Sequence, residues 1–131
     1  PRIINITSIA ASRPGDVFPH YSAIKAGLCN LTISLARTLA SDKVLVNSVS
    51  PGPVWSKSWD DEAKNIAERS GNDLQGIVDE MRASSAETLL LKRMGVPEDV
   101  TGLVLFLASD FSGWITASNF TVDGGFSQNP Y

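Results

Sequence analysis

The sequence predicts an α/β fold: a doubly wound parallel sheet with helices on both of its faces. Short apolar runs rich in β-branched residues alternate with stretches of helical periodicity, in the order strand, helix, strand, insert, helix, strand. Strands separated by helices pair in parallel through right-handed crossovers that lay the helices against the sheet. With 131 residues, the chain fits a single domain.

The first strand is predicted over Arg2–Ile9, where isoleucines follow one another with little polar interruption. Such continuous apolar character is typical of a strand that is covered on both faces. No upstream strand is available to pair with it, although folds avoid exposed apolar edges. We therefore expect further residues to precede Pro1 in the functional protein, so that residues 1–131 form a C-terminal portion of about three strands with their helices.

The central elements follow from apolar spacing and from breakers. A helix is predicted over Tyr21–Leu39, where apolar residues recur at helical spacing. Lys43–Ser50 is predicted as the second strand, which Pro51, Gly52 and Pro53 end.

A mixed segment from about residue 55 to 92 reads as an insert of two short helices. Acidic residues 60–62 suit the first turn of a helix, because the helix dipole favours negative charge there. Gly71 is predicted to end that helix. A final helix begins at Pro97, which suits a first helical position, and a short strand follows over Phe120–Val122.

Composition restricts the partners. The net charge of −3 and the scattered basic residues argue against a nucleic-acid backbone or an anionic membrane as the main partner. No stretch is long and apolar enough to span a bilayer. Cys29 is the single cysteine, so no disulfide can form within the chain, and we expect a reducing, cytoplasmic location. No acidic cluster is spaced as a closed metal site.

The pair Tyr21 and Lys25 is the strongest chemical signal. Four residues apart on a helix, the two side chains share one face. An ammonium beside a phenol favours the phenolate, and a phenol tuned in this way exchanges a proton with an alcohol or carbonyl oxygen. An ordinary amphipathic helix with an exposed lysine would give the same spacing, so the pair alone leaves both interpretations open.

The chain as a whole resembles the short-chain dehydrogenase/reductase family in five segments of matching order and spacing. These are Asn-Ile-Thr-Ser at 5–8 followed by Tyr21 and Lys25, Asn-Ser-Val-Ser-Pro-Gly-Pro-Val at 47–54, Arg-Met-Gly-Val-Pro-Glu-Asp-Val at 93–100, Phe-Leu-Ala-Ser-Asp at 106–110, and Val-Asp-Gly-Gly at 122–125. Only the insert lies outside the resemblance. It implies a Rossmann-like fold and an NAD(P)-dependent oxidoreductase that interconverts a carbonyl and an alcohol.

The resemblance also implies catalytic roles. Ser8 would hydrogen-bond the reacting oxygen, and Tyr21 would be the general acid in reduction and the general base in oxidation. Lys25 would favour the Tyr21 phenolate and bind the nicotinamide ribose. The cofactor, NAD or NADP, would carry the hydride.

Four further positions are implied to contact the cofactor. Pro51 and Gly52 would form the turn under the nicotinamide, and Val54 would offer backbone groups to the carboxamide. Ser56 stands where the family commonly has threonine. The family resemblance implies no metal ion.

The insert over about 55–92 corresponds to the family's mobile substrate lid. Its apolar residues equally suit the packing of two small helices, and a lid must both pack and exclude water. They favour a hydrophobic carbonyl or secondary alcohol as the small-molecule substrate. Family members associate as homodimers or homotetramers, which the resemblance implies here too.

One departure from the family pattern leaves alternatives open. The glycines show no spacing of a pyrophosphate-binding turn at a helix N-terminus. A non-catalytic binding module of the same fold, or an inactive fragment, would also fit. Cofactor binding without turnover would indicate the binding module.

Overall fold

A computed structural model describes residues 1–128 of the chain. The elements, in chain order, are β1 (Arg2–Ile6), α1 (Pro19–Thr38), β2 (Leu45–Pro51), α2 (Lys57–Ser70), α3 (Leu74–Glu87), α4 (Pro97–Ala108) and β3 (Asn119–Val122). Short 3-10 turns lie at Ile9–Ala11 and Asp110–Ser112. Within this part of the chain, no helix has the length and apolar character needed to cross a membrane.

The three strands form one parallel sheet in the order β1-β2-β3. Ile4 lies opposite Asn47 in the first ladder, and Ser48 lies opposite Asn119 in the second. This arrangement confirms the predicted α/β fold with a parallel sheet. Within the described residues, β1 pairs with β2 alone, and Ile6 is 45% exposed.

Helices α1 and α4 cover opposite faces of the sheet. The Asn5 amide donates to Thr32 Oγ1 on α1 at 3.0 Å. The Arg2 guanidinium donates to the carbonyl of Ser109, the C-cap of α4, at 3.0 Å. Side chains alternate between faces along a strand, so residues three apart point to opposite sides. The sheet is therefore doubly wound, as the sequence predicts.

The core lies on β2 and the helices against it. Val46 and Val49 are fully buried and, three residues apart on β2, face opposite layers. Leu107 of α4 is also fully buried. Removing such side chains from water is the main driving force for the fold.

Helices α2 and α3 pack against each other and lie between β2 and α4 in the chain. Gly71 caps the end of α2 at a φ of 70°, a left-handed conformation that glycine adopts without steric cost, and this confirms the predicted break. Asp73 begins α3 by accepting the N–H of Gly76 at 3.0 Å. Ala63 and Ile77 are buried.

Several predicted boundaries are wrong. β1 ends at Ile6 instead of Ile9, because Ser8 caps the 3-10 turn that follows. α1 begins at Pro19 instead of Tyr21, since a proline is favoured in the first helical turn. β2 begins at Leu45, because Lys43 has a φ of 57° and cannot continue a strand.

The acidic residues 60–62 were expected in the first turn of their helix. α2 already begins at Lys57, so only Asp60 lies in that turn. The Asp61 carboxylate instead bonds the Lys57 ammonium one turn earlier at 2.5 Å, which lowers the pKa of Asp61. The dipole argument therefore placed the start three residues late.

Candidate active site

Ser8 lies just beyond the carboxyl end of β1. Thr7 continues the strand pairing, because its N–H donates to the Val49 carbonyl at 2.7 Å. The buried Thr7 hydroxyl also lies 2.6 Å from Ser50 Oγ. The half-buried Ser8 then accepts the Ala10 N–H on its Oγ at 3.2 Å. A serine that accepts with its oxygen keeps its own proton for another acceptor.

Tyr21 and Lys25 lie in the first two turns of α1 and share one face, as their spacing predicts. The Lys25 ammonium is 5.6 Å from the centroid of the Tyr21 ring and donates to the Ile6 carbonyl at 2.9 Å. Ile6 is two residues before Ser8, so this bond fixes the start of α1 beside the carboxyl end of β1. Tyr21 is 43% exposed and so remains accessible to a substrate.

The Lys25 ammonium has donors to spare. An ammonium carries three N–H groups, and the Ile6 carbonyl takes one of them. The side chain is half-buried. It can therefore hold α1 against β1 and still donate to hydroxyl groups of a ligand.

Pro51 is the last residue of β2, one residue beyond the predicted end at Ser50, because it still pairs with Val122 of β3; Gly52 follows it and packs against the end of β3. The Gly52 N–H donates to the Val122 carbonyl at 2.9 Å. A Cβ on Gly52 would lie 2.5 Å from the Cβ and 2.7 Å from the Cα of Asp123, which leaves no room for any side chain. Glycine is required here because two backbone segments approach closely.

Val54 forms a single parallel bridge with Gly95 of the segment before α4. Gly95 donates to the Pro53 carbonyl at 3.0 Å, and Trp55 donates to the Gly95 carbonyl at 2.9 Å. In this pattern the neighbours of Val54 bond Gly95, so the groups of Val54 point away. Among residues 1–128 no hydrogen bond uses the N–H or C=O of Val54. Both are thus available to an amide ligand.

Ser56 is the N-cap residue of α2, and its exposed hydroxyl lies 2.9 Å from Ser58 Oγ. It makes no side-chain capping bond to the helix. The hydroxyl can therefore turn toward a ligand without loss of a helix cap.

One cavity borders Val54, and a second lies within the pair of helices α2 and α3. One of about 240 Å³ lies between Val54, the segment before α4 and the end of β3. Ser8, Tyr21 and Lys25 do not line it, so it is a cavity behind the Pro-Gly turn and not the space above the tyrosine. The other, of about 410 Å³, lies between α2 and α3 and is lined by four of the predicted lid residues, Trp59, Ile66, Ile77 and Met81.

Sequence patterns gave no sign of several residues that shape this site. Asn119 Oδ1 accepts the hydroxyls of Ser48 and Ser50 at 2.9 Å each, a contact between strands 70 residues apart in sequence. Arg13, in the loop between Ser8 and Tyr21, donates to the carbonyls of Phe126 and Ser127 at 3.2 and 2.6 Å. No local periodicity encodes such distant pairs.

Asp123 organises the segment that Arg13 contacts. Its carboxylate accepts the N–H groups of Gly125 and Ser127 at 2.9 and 2.8 Å, and the Ser127 hydroxyl at 2.5 Å. Burial raises the pKa of Asp123, but these bonds outweigh burial and hold it below its usual value. The predicted Val-Asp-Gly-Gly segment thus forms a fixed turn next to Gly52.

Comparisons with known proteins find relatives over almost the whole chain. A family model described as enoyl-(acyl carrier protein) reductase matches residues 1–127. An uncharacterized short-chain type dehydrogenase/reductase of Sinorhizobium fredii is 36% identical over 92% of this chain and 43% of its own length. An acetoacetyl-CoA reductase of Allochromatium vinosum is 36% identical over 95% of this chain and 44% of its own length.

Solved structures share the fold. L-sorbose reductase from Gluconobacter frateurii, crystallised with NADPH and L-sorbose, superposes with a TM-score of 0.87. Its sequence is 29% identical, and the match covers 98% of this chain and 48% of that one. The chain therefore spans about half the length of the proteins it resembles.

Proposed function

We propose, because the chain belongs to the short-chain dehydrogenase/reductase family, that it carries the catalytic groups of an NAD(P)-dependent oxidoreductase. The reaction would interconvert a small-molecule carbonyl and its alcohol. One observation carries the proposal: Lys25 lies beside Tyr21 and bonds the carbonyl of Ile6, two residues before Ser8. This contact holds the start of α1, which carries Tyr21, beside the end of β1, which Ser8 follows.

The residues of the chain fit a nicotinamide cofactor. The unused backbone groups of Val54 match the donor and acceptor of a carboxamide. The remaining N–H groups of Lys25 suit ribose hydroxyls, and the Ser56 hydroxyl is also available to a ligand. Pro51 and Gly52 would support the ring from below. When bound, the cofactor supplies or accepts the hydride.

Each catalytic side chain then has a definite task in reduction. The Ser8 hydroxyl donates a hydrogen bond to the carbonyl oxygen, while its own oxygen accepts the Ala10 N–H. Tyr21 transfers its phenolic proton to the same oxygen. The nearby Lys25 ammonium stabilises the phenolate that remains. In oxidation the phenolate takes the proton back.

We also propose that residues 55–92 act as the substrate lid, with residues 1–131 forming the C-terminal catalytic part of a Rossmann-type domain. The apolar groove between α2 and α3 supports a partly hydrophobic substrate. By analogy with the family, the assembly would be a homodimer or homotetramer. The single cysteine favours the reducing cytoplasm.

The test replaces Tyr21 with phenylalanine in the polypeptide as its source produces it. We expect Tyr21→Phe to lower kcat by about 10²- to 10⁴-fold, the usual contribution of a positioned acid or base. Circular dichroism and thermal unfolding should stay unchanged, because Tyr21 is 43% exposed. Turnover is measured with NADH and NADPH over a panel of ketones and aldehydes.

His20→Asn is the matched control, since His20 is the exposed neighbour of Tyr21 and has no proposed role. It should retain activity. Turnover that survives Tyr21→Phe would contradict the proposal, as would cofactor binding with no turnover of any carbonyl in the panel.

A further inference from the structure

A basic groove of about 430 Å³ lies between the end of α3 and the start of α4. Three cationic side chains line it together with small and apolar ones, namely Arg82, Lys92, Arg93, Ala83, Ala86 and Met94. None of its described lining residues is acidic. The chain as a whole carries a net charge of −3, whereas the side chains that line this groove are positively charged or neutral.

Arg82 is held by an aromatic ring instead of by a carboxylate. Its guanidinium carbon lies 4.4 Å from the centroid of the Trp55 ring. Within residues 1–128 the Arg82 side chain makes no hydrogen bond and no ion pair. A guanidinium that stacks through its face keeps the N–H groups on its edge free, and those edges bind carboxylate and phosphate in pairs.

The platform under Arg82 is itself fixed. Trp55 is 8% exposed, stacks on Trp59 with centroids 5.8 Å apart, and donates its indole N–H to Asp60 at 2.8 Å. The guanidinium is therefore oriented before any ligand arrives, which reduces the entropy lost on binding.

The other two cationic side chains, Lys92 and Arg93, differ in their hydrogen-bond and ion-pair partners. Both terminal nitrogens of the Arg93 guanidinium donate to the Asp99 carboxylate, each at 2.7 Å, so the charge of Arg93 is balanced. Lys92 donates to the Glu87 carbonyl at 2.9 Å and has no carboxylate partner among the described residues. Arg82 and Lys92 together thus leave two positive charges unbalanced at the groove.

The groove adjoins the proposed cofactor site. Trp55 directly follows Val54 in the chain. Arg93 lines both this groove and the 240 Å³ cavity beside Val54. An anionic group held by Arg82 would therefore lie near Val54, one of the residues proposed to hold the nicotinamide.

We propose that Arg82 and Lys92 bind an anionic group of the substrate, a carboxylate or phosphate remote from the reacting carbonyl. The inference rests on the proposed function and narrows its substrate class to carbonyl compounds with an anionic tail. The phosphates of the cofactor carry the same chemistry, so the experiment separates the two sources.

The first experiment compares keto acids with their methyl esters, using the polypeptide as its source produces it. We expect kcat/KM to favour the acid. Arg82→Gln should lower kcat/KM for the acid by about 10- to 100-fold, the loss expected for charge-assisted hydrogen bonds, and leave the ester unchanged. Arg69→Gln, an exposed arginine in the last turn of α2, is the matched control and should change neither.

Three results would overturn the inference: no preference for the acid, an equal loss for acid and ester, or an increase in the cofactor KM with the ester as substrate. The last result would assign the groove to the cofactor phosphates. Arg82→Lys should restore part of the preference, because lysine keeps the charge without the paired N–H groups.

A second measurement does not depend on catalysis. Inorganic phosphate is titrated into ¹⁵N-labelled protein while the indole N–H resonance of Trp55 is followed. A saturable shift that Arg82→Gln weakens about tenfold supports the anion site even if no carbonyl is turned over, in which case the proposed function alone fails. Absence of Arg82-dependent binding overturns the site.

Discussion

Around Ser8, the sheet fixes its side chains with partly buried hydrogen bonds, whereas the α2–α3 pair fixes Trp55 and Arg82 by stacking. Thr7, Ser48 and Ser50 converge on Asn119 Oδ1, and every one of these bonds is directional. The contacts of Arg82 and Trp59 with Trp55 depend on ring faces and tolerate small shifts. The difference suits a rigid floor under the proposed catalytic residues and a proposed lid that adjusts to its ligand.

We expect the largest effect from removing the indole of Trp55, which tests the stacking contacts of the α2–α3 pair. Trp55→Ala deletes a buried ring that both Trp59 and Arg82 contact, and such deletions cost about 3–5 kcal/mol. We expect hydrogen exchange to accelerate in α2 and α3 while β2 stays protected. Equal acceleration in β2 would show that the lid and the sheet unfold together.

Removing the Thr7 hydroxyl tests the sheet side. Thr7→Val removes the 2.6 Å contact with Ser50, which keeps its bond to Asn119, and should lower the free energy of unfolding by about 0.5–1.5 kcal/mol. Thr121→Val is the control, because Thr121 lies on β3 but is exposed. Chemical denaturation measures both variants, and a similar loss in each would argue against a special role for the buried hydroxyl.

The Arg93–Asp99 ion pair, at the start of α4, adds a pH-dependent contribution to the free energy of unfolding. The hydrogen bonds from Arg93 have the largest effect, followed by the bond from the Val96 N–H. Together they hold the pKa of Asp99 well below its ordinary value of 3.8. Because the folded-state pKa is depressed, the stabilisation is complete above pH 3.8 and declines as the pH falls below it.

Asp99→Asn should therefore lower the thermal unfolding midpoint at pH 7, and the difference from wild type should shrink below about pH 4. The effect should be modest, since the pair is largely exposed. Asp110→Asn serves as the control, because Asp110 has only a long 3.6 Å contact with Arg2 and a fully exposed side chain. A difference that is as large at pH 2 as at pH 7 would contradict the electrostatic explanation.

The smallest expected effect is a gain in stability. Ala117 has a φ of 57°, a left-handed conformation that costs a residue with a Cβ about 1–2 kcal/mol. Ala117→Gly relieves that cost and should stabilise the protein by about 0.5–1 kcal/mol after the greater entropy of unfolded glycine is counted. Ala83→Gly, inside α3, should act in the opposite direction. Thermal unfolding distinguishes the two.

Much of the fold could be predicted because its signals are local. The isoleucine run, the helical spacing after Tyr21, and Gly71 each act within a few residues, and the structure has a strand, a helix and a helix end at those places. Boundaries were less accurate, because caps such as Ser8 depend on side-chain bonds that periodicity does not reveal.

The candidate site divides in the same way. The shared face of Tyr21 and Lys25 followed from spacing, and the family resemblance named Ser8 and Val54. The Val54–Gly95 bridge, the Asn119 acceptor and the stacking of Arg82 on Trp55 join residues 27 to 71 positions apart in the sequence. Only the folded chain brings such pairs together, so no single stretch of sequence could predict them.

The bridge between Val54 and Gly95 also bears on how substrate preference can change. It closes the forty residues 55–94 into a loop whose two ends meet at one point on the scaffold. Closing a loop of twice that length would cost only about 0.6 kcal/mol more. Changes in the length of this segment should therefore cost little loop-closure entropy, while the strands and the tyrosine helix keep their places.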